Sequence, residues 1–338
     1  METAMPHQRS AGGRAPAQTF VTTSSAFPSG VESFVPRSES IPNSSRSAAR
    51  TTLSGFKVLR ATHLGMCFGV RDAIALAQAT AQQQPVTVLG ELVHNETVLA
   101  SLRTRGVRFA HQPQESTTNT VLITAHGTSD RMRARLNNDG FEVVDSTCPL
   151  VHVAHRALRE LVTAGFHPVI IGKRDHVEVR GLTGDLDEFD VVLSEADIQQ
   201  LQERPRFGIV SQTTQPIDRV RHLVQLVRSC FPDSEVRFRD TVCQPTKQRQ
   251  TAALDLAQRC DVVVVIGGAN SNNTRELVAT CSRNCARVHH VQHATDLRRE
   301  WFDGATTVGL TAGTSTPDVV IDGVERALAE MYASDQVA

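Results

Sequence analysis

Residues 145–161, "DSTCPLVHVAHRALREL", decide how the chain is read. An apolar run, "FEVV" at 141–144, gives way at Cys148 to an amphipathic segment with Val151, Ala154, Leu158 and Leu161 on one helical face. A strand hands over to a helix, and a single cysteine stands at the junction. Residues 240–257, "DTVCQPTKQRQTAALDLA", repeat the arrangement around Cys243. So does "LGMCFGVRDAIALA" at 64–77, around Cys67, after the apolar run "KVLRATH". None of the three has the closely paired second cysteine of a zinc knuckle.

The chain from Lys57 onward keeps the same grammar. Short β-rich runs ("VTVLG", "TVLITAHG", "HPVIIG", "RFGIVSQ", "DVVVVIGG", "TTVGLTAG") alternate with helical patterns, which predicts an α/β fold with mostly parallel sheets. The cysteines mark three pseudo-repeated lobes, residues 56–147, 148–242 and 243–330, followed by a tail at 331–338. Two strand ends in each lobe deliver polar side chains: His94 and His126, His176 and Thr213, Asn273 and Ser315. The first of each pair lies 27, 28 and 30 residues beyond its cysteine, the second 59, 65 and 72. Ligands of parallel α/β sheets sit outside the carboxyl ends of the strands. The three lobes are therefore expected to form a trefoil about one centre, where three thiols meet.

Bulk composition narrows the function classes. With 35 basic and 36 acidic residues and no local basic run, the footprint of a nucleic-acid-binding protein is missing. No stretch has the roughly 20 apolar residues of a membrane helix, and no secretory signal is visible, so a cytoplasmic location is expected. Residues 1–55, rich in Ser, Arg and Pro, are expected to be a disordered extension, and their acid-poor character suits an organelle transit peptide as well as an ornamental tail. Seven cysteines, odd in number and mostly far apart, fit reduced thiols.

Thiols at helix amino termini should have lowered pKa values and bind metal as thiolates. Four thiolates usually close an iron–sulfur cluster, so three would leave one iron open to substrate. Cys230, Cys260, Cys281 and Cys285 lack the junction pattern and are assigned to packing. His94, His126 and His176, each alone a plausible structural histidine, together resemble an anion pocket. Ser271, Asn273 and Ser315 begin helices, where capping is an equally good role and one compatible with anion binding. These hydroxyl, amide and imidazole donors suit a phosphate or diphosphate. Glu178 is the candidate acid, with a solvated loop glutamate as the alternative, and Thr213 would position its proton. Asp145 and Asp240 are read as turn or helix caps.

"GMCFGV", "LVHN", "AHG", "DSTCPLV", "HVEV", "SQTT", "DTVC…RQ", "NSNN" and "TAGTSTPD" follow the order and spacing of a known family. The chain resembles 4-hydroxy-3-methylbut-2-enyl diphosphate reductases over about residues 57 to 325. The resemblance implies a 4Fe-4S cluster on Cys67, Cys148 and Cys243 with one open iron. It implies diphosphate binding by His94, His126, His176, Ser271, Asn272, Asn273 and Ser315, proton supply by Glu178 with help from Thr213, and an external ferredoxin or flavodoxin as electron donor. Val177 stands where the family usually has proline, Ser211 where it has threonine, Pro245 where it has alanine and Asn272 where it has serine. Three other functions share these residues: a paralogue acting on another hydroxylated diphosphate, a non-redox iron–sulfur hydro-lyase, and a cluster-bearing sensor. A hydro-lyase for hydroxy acids would call for arginine forks, and a sensor would not need Glu178.

Overall fold

A computed structural model describes residues 56–333. The extension at 1–55 lies outside them, as do residues 334–338 of the expected tail.

The described residues form three four-stranded sheets in which every pairing is parallel. Along the chain, β1 (Lys57–Arg60) leads into α1 (Phe68–Gln83), then β2 (Val86–Leu89), α2 (Glu96–Thr104), β3 (Arg108–Ala110), β4 (Thr120–Ile123), α3 (Asp130–Asn138) and β5 (Glu142–Asp145). The second lobe runs α4 (Pro149–Thr163), β6 (His167–Ile171), α5 (Val177–Thr183), β7 (Asp190–Val192), α6 (Glu195–Gln199), β8 (Arg206–Ser211), α7 (Ile217–Cys230) and β9 (Glu235–Phe238). The third runs α8 (Gln244–Ala257), β10 (Val262–Ile266), α9 (Asn272–Ser282), β11 (Val288–Val291), β12 (Thr307–Ala312) and α10 (Asp318–Ala333). The last helix thus extends three residues into the stretch read as a tail.

Parallel strands need crossovers, and the helices that supply them cover the sheets. β10, "VVVVI", is buried at every position, as a central strand packed on both faces must be. β9, "EVRF", alternates exposed and half-buried residues, as an edge strand with one covered face does. The expected stripe on α4 is present: Val151, Ala154, Leu158 and Leu161 are all buried, and His155 joins them. On α1, Ala73 and Ala77 are buried, while Val70 and Ile74 pack partly exposed against the same core.

Strand order gives each sheet the same plan, β3-β2-β4-β5, β7-β6-β8-β9 and β11-β10-β12-β1. The strand that precedes each cysteine belongs to the sheet before it. β1, placed by sequence in the first lobe, therefore completes the third sheet, pairing Lys57 with Thr307 through Arg60 with Leu310. Its position matches those of β5 and β9, so the lobes close on one another in a ring. The cysteines repeat the tie. The backbone N–H of Cys148 donates to Ala125 O (3.0 Å), that of Cys243 to Thr213 O (2.9 Å) and that of Cys67 to Thr314 O (3.1 Å). Each acceptor lies just past the end of β4, β8 or β12.

Candidate active site

Cys67, Cys148 and Cys243 are the N-cap residues of α1, α4 and α8, and none caps its helix through its side chain. All three line one cavity of about 80 Å³, together with His94, His126, His176, Glu178, Thr213, Ser271, Asn272, Asn273 and Ser315. Every residue read from the sequence as a ligand, an anion binder or a proton supplier is thus brought to one place. A Cβ added to Gly69 would lie 2.3 Å from the Cys148 Sγ, so the second lobe's thiol rests on the first turn of the helix that starts at Cys67. The Cys243 thiol donates to Thr246 Oγ1 at 3.0 Å.

The expected lowering of thiol pKa is not what the environment produces. Burial raises Cys148 and pushes Cys243 up to about 11, with repulsion from Cys67 adding to both, and this outweighs the helix-terminal N–H groups. A metal ion would displace these protons, because thiols ligate as thiolates. Three unspent thiols from three helix starts fit a metal–sulfur group with three protein ligands.

Three imidazoles line the same cavity. His94 and His126 stack with centroids 4.4 Å apart, and His176 meets them edge-on at 5.3 and 5.6 Å. One nitrogen from each ring lies within 4.8 Å of the others, a spacing that suits a multi-oxygen anion or a transition-metal ion. Hydrogen bonding favours the anion. His176 Nδ1 accepts the Glu178 backbone N–H (3.2 Å), so the neutral ring carries its proton on Nε2 as a donor. His94 Nδ1 donates to Glu91 Oε2 (2.7 Å), which orients the ring. Burial holds His126 well below the ordinary imidazole range and His176 at about 3, with repulsion from His94 adding to both. Two buried polar atoms lining the cavity, His94 Nε2 and the donor Asn273 Nδ2, have no partner among the described residues and are free to meet a ligand.

Glu178 lies in the first turn of α5, two residues after its N-cap, His176. It is 2% exposed, so the solvated-loop alternative falls. Its Oε1 accepts the Thr213 N–H (2.6 Å) and its Oε2 the Thr213 hydroxyl (3.0 Å). Burial nevertheless pushes its pKa up to about 7 against those two bonds. The helix-start residues are shared between structure and cavity. Ser271 Oγ caps α9 by accepting Thr274 N–H (3.3 Å), Asn273 Oδ1 accepts Thr314 N–H (3.0 Å), and Ser315 Oγ donates to His94 O (3.2 Å). Asn272 Nδ2 donates to Thr214 Oγ1 (3.1 Å).

Asp145 and Asp240 stay out of the cavity and accept from Thr147 N–H (2.9 Å) and Val242 N–H (3.2 Å), holding the turns as expected. Cys281 and Cys285 pack into the third sheet's core with Cys260 against them, whereas Cys230 is exposed rather than packed. Sequence reading missed Glu91 and Thr246, each three residues from a residue it did select, a spacing that one helical or turn contact would have suggested. It also missed Thr214, for which no local signal exists. No lysine or arginine lines the cavity among the described residues.

The family model described as "LytB protein" matches residues 58–329. A 4-hydroxy-3-methylbut-2-enyl diphosphate reductase of Trichlorobacter lovleyi is 36% identical over 281 residues, 82% of this chain and 99% of that protein. One of Aquifex aeolicus is 35% identical over 288 residues, 83% of this chain and 99% of that protein. Among solved structures, the E-1-hydroxy-2-methyl-but-2-enyl-4-diphosphate reductase of Plasmodium falciparum matches with a TM-score of 0.77 at 25% identity, covering 81% of this chain and 88% of that one. A second, an (E)-4-hydroxy-3-methyl-but-2-enyl diphosphate reductase described as the terminal enzyme of the non-mevalonate pathway, matches with a TM-score of 0.60 at 35% identity, covering 81% and 99%.

Proposed function

The chain belongs to the LytB protein family, and on that premise we propose that it is a 4-hydroxy-3-methylbut-2-enyl diphosphate reductase acting in the non-mevalonate isoprenoid pathway. The reaction replaces the allylic C–OH bond by C–H, takes up two electrons and two protons, releases water, and yields isopentenyl and dimethylallyl diphosphate. The observation that carries this reading is the meeting of three N-cap thiols, three imidazoles and one buried carboxyl group in a single cavity.

Cys67, Cys148 and Cys243 would hold a 4Fe-4S cluster, which when bound supplies the electrons and an open iron for the hydroxyl oxygen. His94, His126 and His176 bind the diphosphate together with Ser271, Asn272, Asn273 and Ser315. His176 donates from Nε2, and Glu91 holds the His94 ring in place. Glu178 holds a proton near neutral pH and delivers it toward the allylic carbon or the departing oxygen, while Thr213 fixes both carboxyl oxygens. The electrons come from a separate low-potential carrier, a ferredoxin or flavodoxin. The lack of an arginine fork in the cavity wall favours a diphosphate anchor over the carboxylate anchor of a hydro-lyase. With no helix among the described residues long and apolar enough to cross a membrane, a cytoplasmic site of action fits this chemistry.

The test is an anaerobic assay of the reconstituted protein with the hydroxylated diphosphate and a reduced low-potential dye, scoring both isomers. Formation of both products is expected. Iron-loaded protein that oxidises no dye and forms neither isomer would refute the reading.

A further inference from the structure

Arg249, on α8, is 7% exposed and lies behind the thiols rather than in the cavity wall. Its Nε and Nη2 both donate to Gly65 O, at 2.9 and 2.7 Å, and its Nη1 donates to Pro245 O at 3.0 Å. Gly65 lies two residues before Cys67 and Pro245 two after Cys243, so one side chain ties the turns that present two of the three sulfurs. Among the described residues no carboxylate oxygen comes within 4.0 Å of this guanidinium. Cys67 and Cys243, as thiolates, would favour its charge, whereas burial and the nearby Arg71 oppose it.

A buried cation without a counter-ion is among the most costly arrangements in a protein interior. Carbonyl dipoles solvate Arg249 only in part. Nearly all buried charges are paired, and here the partner has to come from the thiolate side. From this juxtaposition we infer that Arg249 is the fixed counter-charge of the metal–sulfur group held by Cys67, Cys148 and Cys243, and that it biases that group toward its reduced, more negative state. The inference rests on the function proposed above. It makes Arg249 a positioning and potential-setting residue, not a catalytic one, since it touches neither cavity nor substrate. A fixed positive charge in a region of low dielectric stabilises each added electron, so it raises the reduction potential of the group beside it.

The experiment compares wild type, R249K and R249M, each reconstituted anaerobically, by iron and sulfide content and by a spectroscopically monitored redox titration. Wild type and R249K should share one potential. R249M should titrate lower by at least a tenfold change in the one-electron equilibrium, about 59 mV. If R249M fails to keep iron while R249K keeps it, the requirement for charge is upheld by another route. An R249M protein with full iron and an unshifted potential overturns the inference, as does equal iron loss in R249M and R249K, which would mean that only the hydrogen-bond geometry matters. A wild-type protein that takes up no iron overturns the proposed function itself, and the inference with it. Full iron and an unshifted potential in R249M would leave the proposed function standing.

Discussion

Glu178 and Thr213 are joined twice: the backbone N–H and the hydroxyl of Thr213 each donate to a different carboxyl oxygen, at 2.6 and 3.0 Å. The same threonine's carbonyl accepts the Cys243 N–H at 2.9 Å, so the Glu178 carboxyl group and the Cys243 turn share an anchor. With its pKa near 7, Glu178 is protonated below that value and ionised above it. Turnover should therefore decline as pH rises through about 7. Glu178→Gln should keep its iron and its visible spectrum yet lose roughly two to four orders of magnitude in kcat. Near-wild-type turnover would remove the residue from the mechanism.

Diphosphate binding should draw protons into the protein. Burial keeps His126 neutral, and an anion beside its ring favours the charged form, whereas His176 stays neutral because its Nδ1 accepts the Glu178 N–H. Calorimetry with inorganic pyrophosphate at pH 6, in two buffers of different ionisation enthalpy, should show net proton uptake. Identical heats in both buffers would contradict this.

Gly69 leaves the space that the Cys148 sulfur fills, with an added Cβ only 2.3 Å away. Gly69→Ala should lower bound iron by at least half in a protein whose circular dichroism is unchanged. Gly323→Ala is the control: it lies within α10 with open space around the new methyl, so it should keep full iron and gain roughly 0.5–1 kcal/mol of stability.

Asp261 fastens the start of β12. Its Oδ2 accepts Thr306 N–H and Oγ1, both at 2.8 Å, and Thr307 N–H at 2.9 Å, and these bonds hold its carboxyl well below the usual range. A depressed folded-state pKa contributes stability that is complete above the unfolded value, about 4, and shrinks as pH falls below it. Asp261→Asn should therefore unfold at lower denaturant concentration than wild type at pH 7, and the gap should narrow toward pH 3. A gap that widens in acid would reverse the assignment.

The site was more legible than the fold because its chemistry sits at strand-to-helix junctions. Cys67, Cys148 and Cys243 each follow an apolar run and open an amphipathic one, and the offsets to His94, His176 and Asn273 are set by one strand–helix unit. What escaped notice depends on contacts between distant residues. Nothing near Lys57 announces that its neighbour is Thr307. Arg249 stands in "DTVC…RQ", but nothing local gives it a role until Gly65, 184 residues away, accepts from it. The thiol pKa values moved opposite to expectation because the helix terminus is a local feature, whereas desolvation comes from three lobes meeting.

The pairing of β1 with β12 has a consequence for biosynthesis. A ribosome makes Lys57–Arg60 early and Thr307–Leu310 late, so the first strand stays without its neighbour through most of translation. The loop carrying Cys67 hangs from that strand and is fixed to Thr314 only afterward. Iron delivery must then follow completion of the polypeptide, and a nascent chain halted before residue 307 should offer a carrier two ordered sulfurs instead of three.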